Sequence, residues 1–316
     1  MMPEPVKRTD LREVMINRFI KAADNNVPIL VVVSDSTSTA KIAPFQEKYP
    51  DRIVNVGIAE QNLVGVAAGL ALGGFVAVTA NAACFLVARA NEQVKNDICY
   101  SDTNVKLVGL NAGVCYGALA STHHAIDDVS IMRGFGNIQI FAPSDPVETA
   151  QVFDYAIGHV GPVYIRMDSD KFPVLHDEHY QFRPGKADIL RTGTDLTIFA
   201  MGSTVFEAFY AAEELAAKGI SAEVLNVSSI RPLDRRQIIV SALKTQRVIT
   251  VEEHSVHGGI GSIVSEIATE EGLGVKVTRL GITEGQFAKA GPRKDIRAHY
   301  KIDQKGIVET ARRLLG

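Results

Sequence analysis

One acidic side chain stands at the start of a run that is otherwise apolar and rich in small residues. The run is NVGIAEQNLVGVAAGLALGG, from Asn55 to Gly74, and the acid is Glu60. The helix dipole alone commonly explains an acid in the first turn of a helix. The small residues that follow permit tight helix packing, and a carboxyl group held there would have its charged form disfavoured. We therefore expect Glu60 to hold or share a proton near neutral pH.

A pair of histidines follows a glycine-bearing loop in the tract GALASTHHAIDD, residues 117–128. Adjacent histidines in a strand or helix point in different directions, and no Cys or Glu stands at ligand spacing, so we expect no metal site in this chain. A single histidine of the pair, directed into a cleft and acting on a substrate hydroxyl or oxyanion, fits the loop position better.

The elements that must position these residues alternate between helical and strand periodicity. Buried strands such as PILVVVSD and PVYIRM are separated by helices such as PVETAQVFDYAIGHV and a helix predicted from about Leu86 to Tyr100. The pattern lapses once before it restarts. We predict two α/β domains, each a mostly parallel sheet flanked by helices, at 1–170 and 194–316, with a linker at 171–193.

Ligands of open parallel sheets bind at the carboxyl ends of the strands. Those ends are therefore the expected place for chemistry in the first domain. The segments predicted to lie there are Ser34–Thr39, Glu60 with its preceding turn, Ala80–Phe85, Asn111–His124, and Arg166 with Asp168.

Composition excludes several classes of function. The chain has 316 residues, 46% of them hydrophobic, and its formal net charge is −3 without a basic run, so neither nucleic acid nor a membrane surface is an expected partner. The sequence shows no apolar signal core and no uninterrupted spanning segment. Three cysteines without C-x-x-C spacing favour buried thiols and a cytoplasmic location.

Several motifs, in order and at matching separations over nearly the whole chain, resemble one family. The first part of this chain resembles the pyrimidine-binding domain of the transketolase family, and the second part resembles that family's C-terminal domain. The motifs are PDRIVNVGIAEQNLVGVAAGLA, FLVARANEQVKND, THHAIDD and FAPSDPVET, then SSIRPLD and VEEHSVHGGIGS.

The resemblance implies that the chain uses thiamine diphosphate as its cofactor. It also implies a role for Glu60. In the family the glutamate of the GIAEQN segment hydrogen-bonds the cofactor's aminopyrimidine ring, so Glu60 should do so here. Its proton shifts the ring to the imino tautomer, which then removes the thiazolium proton. Phe85 falls where the family stacks an aromatic ring on the pyrimidine, with a core phenylalanine as the alternative. Asp35 falls in the matching loop after the first strand and is assigned to the cofactor.

The resemblance also assigns substrate-binding residues. His123 matches a histidine that contacts substrate and intermediate oxygens, although His124 stands where glutamine is usual. Arg166 matches a strand-end arginine that binds the acceptor's phosphate, a task suited to a planar, permanently charged group. Thr39 and Arg12 are assigned to the same role, Arg12 as a second phosphate-binding arginine.

Two substitutions depart from the family pattern. The family has an acid two residues after the loop glycine, where this chain follows Gly117 with Ala118 and Leu119. Asn111 replaces a phosphate-contacting histidine. Loss of a hydrogen-bonding partner at a hydroxyl-binding site can change selectivity by orders of magnitude, so we expect a non-standard sugar.

The family's other half, which binds the diphosphate and its Mg²⁺ through a Gly-Asp-Gly segment, has no counterpart in this sequence. The first domain begins within a few residues of Met1, so we expect a separate N-terminal subunit to supply that half, in an α₂β₂ complex with two equivalent sites. The chain would then be one subunit of a transketolase that transfers a two-carbon ketol unit between anionic sugars.

Three alternatives remain open. The beta subunit of a 2-oxo acid dehydrogenase has the same two domains and also lends a glutamate to thiamine diphosphate. Deoxyxylulose-phosphate synthase shares this half but carries both halves on one chain. A non-catalytic paralogue would bind a partner without chemistry, which Leu119 and Asn111 favour and Glu60, Phe85, His123 and Arg166 oppose.

Overall fold

The computed structural model describes residues 8–283 and 287–316. The chain forms two compact units. Of these residues, the first unit contains 8–112, 135–139 and 145–182, and the second contains 113–134, 140–144, 183–283 and 287–316. The described helices are α1 Leu11–Asp24, α2 Ala43–Lys48, α3 Glu60–Leu72, α4 Ala83–Ala88, α5 Asn91–Gln93, α6 Asp128–Arg133, α7 Pro146–Gly158, α8 Val205–Ala216, α9 Arg235–Thr245, α10 Ile260–Glu270, α11 Arg293–His299 and α12 Gln304–Leu315.

The described strands complete the element order. They are β1 Arg8–Asp10, β2 Ile29–Val33, β3 Ile53–Asn55, β4 Val76–Ala82, β5 Val105–Leu110, β6 Gln139–Phe141, β7 Val163–Arg166, β8 Lys171–Pro173, β9 Asp188–Arg191, β10 Leu196–Ala200, β11 Ala222–Asn226, β12 Ser229–Arg231, β13 Arg247–Ser255 and β14 Lys276–Ile282. Val94–Tyr100 is a π-helical segment.

Parallel strands build the first unit, in the order β7-β5-β4-β2-β3. Every residue of β4 is buried, as expected for a parallel strand covered on both faces. Helices α1 and α7 pack together, and Phe19 of α1 meets Phe153 of α7 edge to face at 5.7 Å between ring centroids. Strand β1 pairs antiparallel with β8 in a separate two-stranded sheet.

The second unit has a sheet of order β14-β13-β10-β11-β9, parallel except for β9, which runs antiparallel to β11. Strand β12 pairs antiparallel with Ile140 and Phe141 of β6. The α/β class with mostly parallel sheets, predicted from the alternation, is confirmed.

Two predicted elements differ from the observed ones. The stretch predicted as the linker, 171–193, contains strands β8 and β9, whose partners lie far away in sequence. The predicted helix from Leu86 to Tyr100 is instead α4, α5 and the π-helical segment. The interruption falls at Ala90, whose φ of −97° and ψ of 21° leave the α-helical region.

The segment Gly113–Gly134 groups with the second unit, although the boundary predicted at 170 would place it in the first domain. Within the second unit, the Val114 amide donates to Glu253 Oε1 at 2.8 Å. A Cβ on Gly113, whose φ is +67°, would lie 2.6 Å from the same oxygen. The buried Glu253 also pairs with Arg293 at 2.9 Å and with Arg297 at 2.5 Å. These contacts hold the segment to the second unit.

Across the described ranges, every helix falls short of the length or the apolarity that crossing a membrane requires.

Candidate functional site

Glu60 is the first residue of α3, and its N-cap, Ala59, has no side chain that bonds the helix end. Its carboxylate is 3% exposed and accepts two side-chain hydrogen bonds. Arg89 Nη1 donates to Oε2 at 2.5 Å, and Asn81 Nδ2 donates to Oε1 at a longer 3.4 Å. Strand β4 therefore supplies one partner and the end of α4 supplies the other.

The protonation state of Glu60 differs from the expectation. Burial raises the pKa of the Glu60 carboxyl, but the hydrogen bond from Arg89, the bond from its own backbone amide, the bond from Asn81 and the charge of Arg89 lower it. The combined effect holds the pKa below its usual value. Glu60 is thus ionised at neutral pH in this structure, and the prediction that it holds a proton there is wrong, because it does not take account of Arg89.

Phe85 and Arg89 are four residues apart on α4 and its C-cap, so they share a helical face. The half-buried Phe85 ring carries the Arg89 guanidinium at 4.8 Å from its centroid. Arg89 therefore contacts both groups that the family resemblance assigns to the pyrimidine ring. Arg89 and Asn81 were not among the site residues predicted from the sequence, although the spacing of Arg89 from Phe85 in FLVAR is compatible with a shared helical face.

Asp35 and Thr39 lie in the loop after β2, and Arg12 lies on α1. Asp35 is exposed, adopts a φ of +56°, and its amide donates to Asn55 Oδ1 at 3.1 Å. Thr39 accepts a hydrogen bond from Arg12 Nη1 at 3.2 Å through its carbonyl. Arg12 also pairs with Asp10, through Nε at 3.0 Å and Nη2 at 2.7 Å. The structure thus brings Arg12 and Thr39 together and gives Arg12 a carboxylate partner.

Arg166 and Asn111 lie at the ends of neighbouring strands in the first unit. Arg166 is the last residue of β7 and pairs in register with Gly109 of β5. Asn111 follows β5 and has a φ of +54°. Both side chains are buried, at 4% and 6% residue exposure. A buried arginine and amide at adjacent strand ends suit recognition of an anionic group.

His123, His124 and Leu119 belong to the second unit. His123 is half-buried, with Nδ1 3.0 Å from Thr122 Oγ1 and its ring edge-on to Tyr116. His124 is buried and donates from Nε2 to the Gly117 carbonyl at 3.0 Å. Burial lowers the pKa of His124. His124 thus supports the loop, while Leu119 is 51% exposed.

Among residues 8–283 and 287–316, no group of three or more His, Cys, Asp and Glu side chains is arranged to hold a metal ion.

Family comparisons match the chain to two consecutive domains. Residues 7–173 match the transketolase pyrimidine binding domain, and residues 185–307 match the transketolase C-terminal domain. A subunit of the apulose-4-phosphate transketolase of Actinobacillus succinogenes is 57% identical over 301 residues, which cover 95% of this chain and 97% of that protein. The 6-deoxy-6-sulfo-D-fructose transketolase subunit SqwH of a Clostridium species is 36% identical over 95% of this chain and 93% of its own length.

A solved structure described as a split gene transketolase, inactive beta4 tetramer, has 34% sequence identity and a TM-score of 0.87. The match covers 98% of this chain and 99% of that one. Transketolase from Campylobacter jejuni, at 18% identity and a TM-score of 0.79, shares the fold. The chain belongs to the transketolase family and contains its pyrimidine-binding and C-terminal domains.

Proposed function

We propose that this chain is the C-terminal subunit of a split transketolase, which transfers a two-carbon ketol unit between anionic sugars. The observation that carries the proposal is the buried carboxylate of Glu60 at the start of α3, which shares one partner, Arg89, with the ring of Phe85. The relatives that match along their whole length are named as transketolase subunits, which favours this reaction over that of a 2-oxo acid dehydrogenase.

The residues of the first unit fit the pyrimidine ring of thiamine diphosphate. The position of Arg89 supports this fit, because a flat cation that donates N–H already lies on Phe85 and bonds Glu60. Glu60 would share a proton with the ring, Phe85 would cover the ring's face, and Asp35 would lie beside the cofactor in the loop after β2. The burial of Glu60 would keep competing water away from that proton. When bound, thiamine diphosphate supplies the electron sink for carbon–carbon bond cleavage and formation.

The diphosphate and Mg²⁺ would be held by an N-terminal subunit, in an α₂β₂ complex with two equivalent sites. The solved relative that contains beta subunits alone is described as inactive, which supports a need for a second type of subunit. Helix α3 offers a face for that contact. Its more exposed side carries residues at the 3-4-3 spacing of one helical face, namely Asn62, Gly65, Gly69 and Leu72. Leu72 is 76% exposed. We place the complex in the cytoplasm on the cysteine argument.

The substrates would be ketoses with a terminal anion and an altered centre near the reacting carbons. Arg166 would bind the terminal anion with Arg12 and Thr39, and His123 would contact oxygens at the reacting centre. The exposed, apolar Leu119 would face the substrate where the family has an acid that binds a hydroxyl. Asn111 would offer a neutral amide where the family has an imidazole. Two relatives are named for apulose-4-phosphate and for 6-deoxy-6-sulfo-D-fructose, which supports an anionic sugar outside the usual pentose and hexose phosphates.

The test is copurification of the chain with its N-terminal subunit and a ketol-transfer assay with thiamine diphosphate and Mg²⁺. The donor panel contains apulose 4-phosphate, 6-deoxy-6-sulfofructose and xylulose 5-phosphate. We expect cofactor-dependent transfer, fastest with a modified ketose. A copurified complex that binds thiamine diphosphate but transfers no ketol unit from any donor would refute the enzymatic proposal.

A further inference from the structure

Arg89 contacts the two groups that the proposed function assigns to one ring. Its Nη1 is 2.5 Å from Glu60 Oε2, and its guanidinium carbon is 4.8 Å from the centroid of Phe85. One carboxylate oxygen and one ring face are therefore engaged by a single side chain. We propose that Arg89 is a placeholder for the cofactor ring, which holds Glu60 and Phe85 until thiamine diphosphate displaces it. This inference rests on the proposed function.

The chemistry of a guanidinium makes it a suitable substitute for an aminopyrimidine. It is planar, it donates N–H in its plane, and its face stacks on aromatic rings. A pyrimidine ring bound through the same carboxylate and the same aromatic face would need the space that Arg89 fills. Arg89 and the cofactor ring therefore exclude each other at Glu60 and Phe85.

Exposure indicates which partner moves. The Glu60 side chain is 3% exposed, whereas that of Arg89 is 49% exposed. Arg89 is the C-cap of α4, one residue before the helical conformation is interrupted at Ala90. The half-exposed guanidinium regains full hydration when it leaves, and the cofactor ring would take over its hydrogen bond to Glu60, so the buried carboxylate keeps a partner. The guanidinium can swing into solvent while the buried carboxylate stays in place.

Before the cofactor binds, the buried carboxylate of Glu60 needs a partner for its charge. A buried carboxylate without a compensating charge is strongly disfavoured, and it would take up a proton or destabilise the fold. Arg89 keeps Glu60 ionised and in position at the start of α3, with Asn81 on the second oxygen. A cofactor that replaces Arg89 then meets a carboxylate already in its working position.

Calorimetric titration of the reconstituted complex with thiamine diphosphate, at saturating Mg²⁺, tests the competition. Only molecules in which Arg89 has left the site can bind the cofactor, so the apparent Kd is the intrinsic Kd divided by the fraction of such molecules. Arg89→Ala and Arg89→Gln should therefore bind thiamine diphosphate about three- to tenfold more tightly than wild type. Arg89→Lys keeps the charge and should stay closer to wild type. Arg18→Ala, which removes another arginine–carboxylate pair of the first unit, at 3.1 Å from Asp154, should leave the affinity unchanged.

A second measurement needs no cofactor. In the isolated chain labelled with ¹³C at glutamate carboxyls, with Glu60 assigned through Glu60→Gln, Arg89→Gln should raise the pKa of Glu60 by more than about one unit. Tighter binding together with this rise supports the placeholder. Unchanged or weaker binding in both neutral variants overturns it, as does an unchanged titration of Glu60. A wild-type complex that binds no thiamine diphosphate would instead refute the proposed function.

Discussion

Burial raises the pKa of the Glu60 carboxyl, but the hydrogen bonds from Arg89, from the Glu60 backbone amide and from Asn81, with the charge of Arg89, together lower it below its usual value. Replacement of Glu60 by glutamine keeps the shape and removes the group that shares a proton with the cofactor ring. We expect Glu60→Gln to lower kcat of the reconstituted complex by about 10²–10⁴-fold, the range of general acid–base catalysis, with assembly intact. Steady-state ketol transfer and gel filtration of the same preparations measure the two quantities.

Glu47→Gln provides the matched control, because Glu47 is an exposed residue of α2. It should leave kcat and assembly at wild-type values. Near-normal turnover of Glu60→Gln would remove Glu60 from the proposed mechanism.

Leu119 is half-exposed on a short turn of the second unit, so an aspartate fits there without a buried charge. An aspartate would supply the hydroxyl-binding acid that the family usually has. We expect Leu119→Asp to shift the ratio of specificity constants toward xylulose 5-phosphate by about five- to 150-fold, which corresponds to about 1–3 kcal/mol for a restored hydrogen bond to the substrate. Competition between xylulose 5-phosphate and apulose 4-phosphate measures the ratio.

Leu243→Asp, at another exposed leucine of the second unit, should leave the ratio unchanged. The selectivity argument fails if the wild-type complex already uses xylulose 5-phosphate and ribose 5-phosphate with kcat/KM above roughly 10⁵ M⁻¹s⁻¹.

At the scale of elements, the glycines of α3 are not required by packing within the described chain. A Cβ on Gly69 would meet no atom within 4 Å, and one on Gly65 would meet only Asp97 Oδ2, at 3.8 Å. An internal helix packed on its own sheet, the alternative explanation for such composition, would leave less room on this face. We therefore expect the face to contact another subunit.

Gly69→Leu should fold as the wild-type chain does and should weaken assembly with the N-terminal subunit by at least about tenfold, because a bulky side chain separates closely packed helices. Thermal melts of the chain and the apparent Kd of the two subunits measure these effects. Gly158→Leu is the control, since a Cβ at this exposed last residue of α7 also meets no atom within 4 Å. If Gly69→Leu assembles and turns over normally, the interface lies elsewhere.

Lys106 of β5 is a buried cation whose ammonium donates to the carbonyls of His159 and Gly161 at 2.8 and 2.6 Å. Burial lowers its pKa to about 7. Between that value and the ordinary pKa of lysine the unfolded chain binds more protons, so the free energy of unfolding should rise with pH. The gain from pH 7 to 10 should be about 2–4 kcal/mol larger in wild type than in Lys106→Met. Urea denaturation across this range tests it, with Lys95→Met as the exposed control.

At the scale of the whole molecule, the 316 residues provide one side of the proposed cofactor site. They contain no Gly-Asp-Gly segment of the type that binds the diphosphate and Mg²⁺ in the family. We expect calorimetry of the chain alone, with Mg²⁺ present, to show no saturable binding of thiamine diphosphate, and the reconstituted complex to bind it. Tight binding by the chain alone would contradict the split-site proposal.

Features that depend on the local order of residues could be predicted before the fold was known. Helical and strand periodicities gave the α/β class, and the ordered motifs gave the transketolase family, both of which are confirmed. The position of Glu60 at the start of a helix followed from the small residues after it, because residues adjacent in sequence share one element.

Contacts between residues far apart in the chain are visible only in the folded molecule. Arg89 and Asn81 reach Glu60 from 29 and 21 positions away and reverse the expected direction of its pKa shift. Strand β9 lies inside the predicted linker because it pairs antiparallel with β11. Local periodicity carries no information on such encounters, since hydrogen bonds and charges act through space between segments that the fold alone brings together.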